Sequence, residues 1–405
     1  MHYWLTNVRI ETGYRYENDW IAGTASKTVA IEVMDGNFSQ IIDQNLWHTD
    51  GTSTVIDGQN QLLLPGLVEK HCHLDKSKLG TAWRPVTPAA TLVERFESEI
   101  PQLDALPITI TQRATNLIKQ ELAAGTTQFR SHIDIEPMTE LRYFDAIQTL
   151  RAHQVFPIEL VAFPQHGLLR SHASDLVEVA LQRCATFIGG VDPYSLDGDY
   201  QASLAETFRL ATKYHAGIDI HVHDRGVAGT MTIREIIRLT AQHQLQDQVF
   251  ISHAFGLNDF TSSERISVFA ELAKLKIHIV SSVPLTNNTL PPIKELLQAG
   301  VPVHLGCDNV YDSWSPYGDA SLQQKLARLG EILGVKDQID LTQLLGLVTD
   351  GLVPLTTDGK MQWPAVGMPA TYLLTPADCT AEFVARQTPI TQSAFAGNNL
   401  LSPNL

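Results

Sequence analysis

Four short stretches, far apart in the chain, each run from an apolar, β-rich segment into side chains that ligate metals. They are His71-Cys72-His73 in PGLVEKHCHLD, His221 in GIDIHVHD, His253 in VFISHA and Asp308 in VPVHLGCD. A strand that stops at a histidine or carboxylate presents it at the strand's C-terminal end. Parallel strands closed into one barrel aim such ends at a common centre. His71 and His73 are two residues apart, so in an extended strand both imidazoles face one side and can share an ion. Imidazole together with carboxylate suits zinc or iron, whereas magnesium and calcium rely mostly on oxygen. No candidate strand ends in a lysine that could become a carbamate between two metals, and the fourth ends in GGVDP. One divalent metal ion, Zn or Fe, is therefore expected.

Asp308 could ligate that ion and also take a proton from a water whose pKa the ion lowers toward neutrality. His253 could ligate, or could orient the attacking water. Asp224, three residues past His221, could shuttle protons between water, a ring nitrogen and a leaving group. The plainer alternative for Asp224 is an ion pair with adjacent Arg225. His223 shares a face with His221 if the strand continues, and is open as a second ligand or a substrate contact. No GxSxG nucleophile elbow is present. Cys72, Cys184, Cys307 and Cys379 have no CxxC spacing and read as free thiols in a reducing cytoplasm. Cys72 and Cys307, beside proposed ligands, read as small buried hydrophobes.

The elements that must position these residues alternate along the chain. Candidate strands are LLLPGLVEKH, TTQFRSHID, FPIELVAFP, TFIGGVDP, GIDIHVHD, VFISHA, IHIVSSV and VPVHLGCD. Between most of them lie helical patterns such as ITQRATNLIKQELAAG, LRYFDAIQTLRAH, LAETFRLATKYHAG, TIREIIRLTAQHQ and LPPIKELLQAG. The glycines of AAG, HAG and QAG fall where helix C-caps are expected. This alternation predicts an α/β fold with a (β/α)8 TIM-like barrel. A doubly wound open sheet is the alternative, but no GxGxxG turn follows the first strand. Both chain ends read as β-rich. TVAIEVMDGNFSQII alternates around an Asp35-Gly36 turn, and ATYLLTPA and EFVARQTPITQSAFAGN resemble it. The expected organisation is a small β-sandwich domain from both ends (residues 1–64 and 356–405) around a barrel at 65–355.

The bulk composition narrows the class. Among 405 residues, 44% are hydrophobic and 18% charged, as in an ordinary soluble globular protein. A formal net charge of −15 repels polyphosphate, so nucleic acid is excluded as an expected partner. No apolar run approaches the length of a membrane span. MHYWLTNVRIETG shows no basic stretch followed by an apolar core, so no signal peptide is expected.

At these residues the chain resembles the amidohydrolase superfamily, and within it the bacterial cytosine deaminase branch. PGLVEKHCHLDKSKLG resembles the family's first-strand HxHLD motif, and TTQFRSHID its second strand. VAFPQHG resembles a VAFPQ-glutamate-G segment whose Gln holds the pyrimidine, which points to Gln165. LGCDNVYDSWSPYGDAS resembles the eighth-strand block, and VARQTPI the closing β-domain. The resemblance implies His71, His73, His221 and Asp308 as metal ligands, His253 near the attacking water or the substrate, and Trp314 lining the pocket. It also implies a homo-oligomer acting on a small molecule, and with the free thiols a cytoplasmic one is expected. Three departures stand out. The family's HxxE shuttle is His221-Val222-His223-Asp224 here, the glutamate after the Gln is His166, and the acid after the metal aspartate is Asn309. With Asp one methylene shorter than Glu and two carboxylates exchanged, His166 and Asn309 are expected to select a ring other than cytosine.

The leading expectation is hydrolytic deamination of a cytosine-like, amino-substituted N-heterocycle, with Asp308 as base and Asp224 protonating the ring. The alternative is hydrolysis of an amide, cyclic amide or N-alkylamino bond, which Asp308 alone could serve. A non-enzymatic metal sensor on the same barrel is the third reading. Complete retention of the ligand set argues against it.

Overall fold

In the computed structural model, which describes residues 1–286 and 289–401, eight parallel strands pair in chain order. They are Leu67–Cys72, Thr126–Asp134, Ile158–Phe163, Phe187–Ile188, Gly217–His221, Val249–Ser252, His278–Ser281 and Val303–Leu305. Each lies within one of the eight predicted segments, except that the first runs one residue further, to Cys72. The ring closes where Cys72 bridges Asp308 in parallel. No helix among the described residues is long and apolar enough to cross a membrane.

At the seam a side chain completes the ladder. The buried Glu69 carboxylate accepts from the His71 amide at 2.7 Å and from the Cys307 amide at 2.9 and 3.1 Å. Burial raises its pKa to about 7. The first and eighth strands approach so closely that a Cβ on Gly306 would lie 2.5 Å from His71 Cβ. Deeper in the barrel, Arg130 is buried between the rings of Phe187 and Phe250, at 3.8 and 3.9 Å, and reaches Asp219 at 3.1 Å. Paired and stacked in this way, the buried guanidinium is not left without compensation.

The chain ends form a seven-stranded sheet. Its members are His2–Glu17, Trp20–Met34, Asn37–Asp43 and Thr54–Pro65 from the N-terminal part, with Tyr372–Thr375, Gln392–Phe395 and Asn398–Asn399 from the C-terminal part. The turn between the second and third strands is Asp35-Gly36, both at positive φ, as the Asp-Gly pair predicts. This sheet folds back on itself, because Ala370 donates to the Gly36 carbonyl and Asn37 bridges Pro369. Its core includes Leu5, Val8, Ile31, Phe38, Trp363 and Tyr372.

Three local readings differ from the structure. LLLPGLVEKH is two strands in two sheets, parted at Gly66. A Cβ at Gly66 would lie 2.6 Å from Thr127 Oγ1. In HAG it is His215 (φ +52) that ends the helix, while Gly217 opens the fifth barrel strand against the Phe187 ring. EFVAR is helical within Thr380–Arg386, with Phe383 and Val384 buried and Glu382 bonded back to the Asp378 amide at 2.7 Å.

Candidate active site

The strand ends bring the predicted ligands together. His71, His73, His132 and His221 each offer a ring nitrogen, all within 4.8 Å of one another. His71, His253 and Asp308 form a second set under the same limit. Asp308 Oδ1 lies 3.5 Å from both His71 Nε2 and His73 Nε2. His71 Nε2, His73 Nδ1 and both nitrogens of His132 and His221 are buried without a hydrogen-bond partner. Unpaired buried polar atoms are costly, about 1–3 kcal/mol each, and several converging on one point suit a cation that they can ligate together. The donor set, imidazoles with one carboxylate, fits zinc or iron.

Burial also sets the protonation the site needs. It lowers the His73 pKa to about 3 and that of His132 to about 4. His221 and His253 are held well below the ordinary histidine value, again chiefly by burial. The imidazoles are therefore neutral, the form that ligates. Burial pushes Asp308 the other way, but hydrogen bonding to His71 and His73 outweighs it and keeps this carboxyl well below the usual range.

The tautomer of His71 is set from behind. Ser252 Oγ donates to Asp219 Oδ1 at 2.7 Å, so it can accept only from His71 Nδ1, also at 2.7 Å. The proton sits on Nδ1 and the Nε2 lone pair faces the centre. Neither Ser252 nor Asp219 stood out in sequence. His132 was also unassigned, although it lies in the β-rich run TTQFRSHID, two residues before the strand's end. Its Nε2 lies 3.4 Å from Asp219 Oδ1.

The HVHD segment divides its members. The ladder ends at His221. His223 stacks on His253 at 4.3 Å, and its Nδ1 pairs with Asp192 at 3.0 Å. Burial lowers the His223 pKa, but Asp192 outweighs it and the net shift is upward. Asp224 Oδ2 accepts from the Ser195 amide at 3.1 Å, and this carboxylate is in neither ligand set. Arg225 forks onto Asp259 at 2.7 Å.

The remaining candidates form one wall. Gln165 and His166 follow the third strand; Asn309 and Trp314 follow the eighth. The helix Leu92–Asp104 joins the two groups, since Phe96 stacks on His166 at 4.9 Å and lies 5.7 Å from Trp314. Gln165 Nε2 donates to buried Glu99 at 2.7 Å, and the His166 amide donates to buried Glu136 at 2.6 Å. Asn309 Nδ2 donates to Asp312 at 2.7 Å. Glu99, Glu136 and Asp312 were missed in sequence, where nothing separates them from ordinary surface acids.

Comparison with known proteins follows the same lines. Residues 129–374 match the model of the amidohydrolase family. The uncharacterized protein YahJ of Escherichia coli (strain K12) is 35% identical over 401 residues, 98% of this chain and 87% of that protein. N-isopropylammelide isopropyl amidohydrolase of Pseudomonas sp. (strain ADP) is 28% identical over 309 residues, 73% of this chain and 74% of that protein. Among crystal structures, N-isopropylammelide isopropylaminohydrolase from Burkholderia multivorans superposes with a TM-score of 0.84 at 28% identity, covering 98% of each chain. The fold of 5-methylcytosine deaminase from Klebsiella pneumoniae superposes at 0.81, with 22% identity over 99% of this chain and 98% of that one.

Proposed function

The chain belongs to the amidohydrolase family, and on that premise we propose that it hydrolyses the bond between a ring carbon and an exocyclic amine of an N-heterocycle related to cytosine. The observation that carries this reading is the set of unpartnered, buried imidazole nitrogens meeting an ionised carboxylate at the ends of the barrel strands. We assign His71, His73, His221 and Asp308 as the residues that would hold one divalent zinc or iron ion. When bound, that ion supplies an acidified water and polarises the reacting carbon.

The protein's own groups do the rest. Asp308 takes the proton of the attacking water and returns it to the departing amine. His253, stacked on His223, orients the water. His223 carries the proton for the ring nitrogen. Asp224, anchored on Ser195, acts through His223 by favouring its charged form. Gln165 and His166 hold the ring from one side and Asn309 and Trp314 from the other.

A second reading is favoured by the likeness to two N-isopropylammelide hydrolases, each at 28% identity. The leaving group is then an alkylamine, or the amine of an amide, and Asp308 alone handles the proton. Incubation of metal-loaded protein with aminopyrimidines, aminotriazines and pterins, beside N-alkylamino counterparts and lactams, separates the two. Ammonia release supports the first reading, and release confined to alkylamine or opened lactam supports the second. No release from either set by metal-loaded protein overturns both.

A further inference from the structure

Lys78, in the loop after the first barrel strand, is a cation that the protein buries and leaves unpaired. The residue is 2% exposed. Its backbone is spent on the loop, with the amide donating to the Tyr311 carbonyl at 2.7 Å and the carbonyl accepting from the Thr81 hydroxyl at 2.8 Å. Its ammonium makes no hydrogen bond or ion pair among the described residues. Lys76, by contrast, pairs with Asp134 and Glu99. Burial lowers the Lys78 pKa more than nearby Asp312 and Glu99 raise it, and Arg84 and Arg95 lower it further. Those two acids hold Asn309 and Gln165, so the ammonium lies beside the wall assigned to the ring. Both acids are engaged elsewhere. Asp312 accepts from Asn309 and from the Trp314 and Ser315 amides, and Glu99 Oε2 accepts from Gln165 and Lys76. Glu99 Oε1 has no partner either, so acid and ammonium are held apart. The neighbouring cations also lack counter-charges. Arg84 is exposed and makes no ion pair among the described residues, and Arg95 bonds the backbone carbonyls of Thr87 and Ser313 at 2.5 and 3.0 Å.

We propose that Lys78 binds the substrate through a negatively charged oxygen, a ring oxyanion or a ring carboxylate, on the Asn309 and Trp314 side of the site. This rests on the reading of the barrel mouth as a site that holds a heterocycle. A buried charge without a partner is costly, and an anionic ring supplies the counter-charge that Lys78 lacks. A hydrogen bond between ionised groups is roughly twice as strong as one between neutral groups. The Lys76 charge is already balanced by two acids, so telling a charged ring from an uncharged one falls to Lys78. In a chain of net charge −15, Lys78, Arg84 and Arg95 together make a local positive potential that draws such a ring in.

The test compares rings matched in shape and different in charge. Barbiturate, a ring oxyanion at neutral pH, is set against uracil, and orotate, a ring carboxylate, against 6-methyluracil. Affinity for the metal-loaded, full-length protein is read as Kd by calorimetry. In at least one pair the anion should bind tighter by about tenfold or more, and the pair that responds tells an oxyanion from a carboxylate. The metal also attracts anions, so the ratio is measured again without the Lys78 charge. Lys78→Met should shrink the preference to within about threefold, and Lys78→Arg should keep most of it. Lys78→Gln, polar and uncharged, replaces the Met variant if that does not fold. No preference for the anion in either pair overturns the proposal, whichever variants fold. So does a preference that survives in a folded uncharged variant, or failure of all four rings to bind. Amine release is measured separately. Release without the charge preference overturns this inference alone, and a preference that depends on Lys78, without release, overturns only the hydrolase reading.

Discussion

Asp308 and His71 are joined twice. The Asp308 amide donates to the His71 carbonyl at 2.7 Å, and Asp308 Oδ1 lies 3.5 Å from His71 Nε2. The first contact closes the barrel and the second belongs to the site, so seam and chemistry share residues. Asp308 (φ +58) and His253 (φ +67) both hold left-handed backbone conformations that few non-glycine residues adopt. The cost of such conformations is tolerated where surrounding bonds dictate them. For His253 one such bond runs from its amide to the Val280 carbonyl at 2.8 Å.

Purified protein should carry close to one equivalent of zinc or iron per chain by elemental analysis. Ser252→Ala removes the oxygen that fixes the His71 tautomer. It should weaken metal binding by about 10- to 100-fold, as loss of such supporting contacts does elsewhere. Competition with a chromophoric chelator measures this. A reproducible two equivalents per chain, or unchanged affinity in the variant, contradicts the assignment.

Asp308→Asn should lower kcat by about 10²- to 10⁴-fold, the usual cost of removing a general base. The amide that closes the barrel is backbone, so far-UV circular dichroism should match the unmodified protein. A variant with near-normal kcat on the true substrate rules out Asp308 as the base.

His166 and Asn309 each stand beside a buried acid. His166 Nδ1 is 3.7 Å from Glu136, and Asn309 bonds Asp312. The unmodified protein should be poor on cytosine, and efficient kcat/KM for cytosine would refute ring selection by these positions. Restoring acids with His166→Glu and Asn309→Asp sets each new carboxylate against a buried one. Like charges so placed resist joint ionisation. The double variant should therefore lose more Tm at pH 8 than at pH 5.5, which thermal melts at the two values test.

Burial pushes Glu136 up to about 7 from an ordinary value of 4.5. Between those values the folded protein keeps a proton that the unfolded chain has released. This contribution is fully present below about pH 4.5 and is lost as pH rises through about 7. Glu136→Gln removes the titration and keeps an acceptor for the His166 amide. Its Tm relative to the unmodified protein should rise between pH 5 and pH 8, by an amount on the order of a few kcal/mol in stability. A difference in Tm that does not change with pH would show that Glu136 does not titrate this way.

Much of the site could be read directly because parallel barrel strands are buried on both faces and appear as near-continuous apolar runs. Where such a run breaks into histidine or aspartate, the break marks the strand's open end. His71, His73, His221, His253 and Asp308 were found in this way, and the structure gathers all five. For His223 the shared face with His221 was conditional on a continuing strand. The i, i+2 rule holds only while the ladder continues, and here it stops at His221. Past that point Asp192 and the Ser195 amide, from the loop after the fourth strand, decide where His223 and Asp224 sit.

Glu99, Lys76, Ser252 and Asp219 carry no comparable local mark. A glutamate on an amphipathic helix looks alike whether it meets water or a cavity, and Glu99 is buried only because Leu92–Asp104 lies against the strand-end loops. Local periodicity in the chain determined which strands exist, which residues end them and so which chemistry gathers at the barrel's mouth. Closure of the ring decided which second-row groups stand behind the ligands and which buried acid meets Gln165. Those contacts join residues as far apart as 66 positions for Gln165 and Glu99 and 181 for His71 and Ser252, and no pattern spanning one or two turns of chain can encode them.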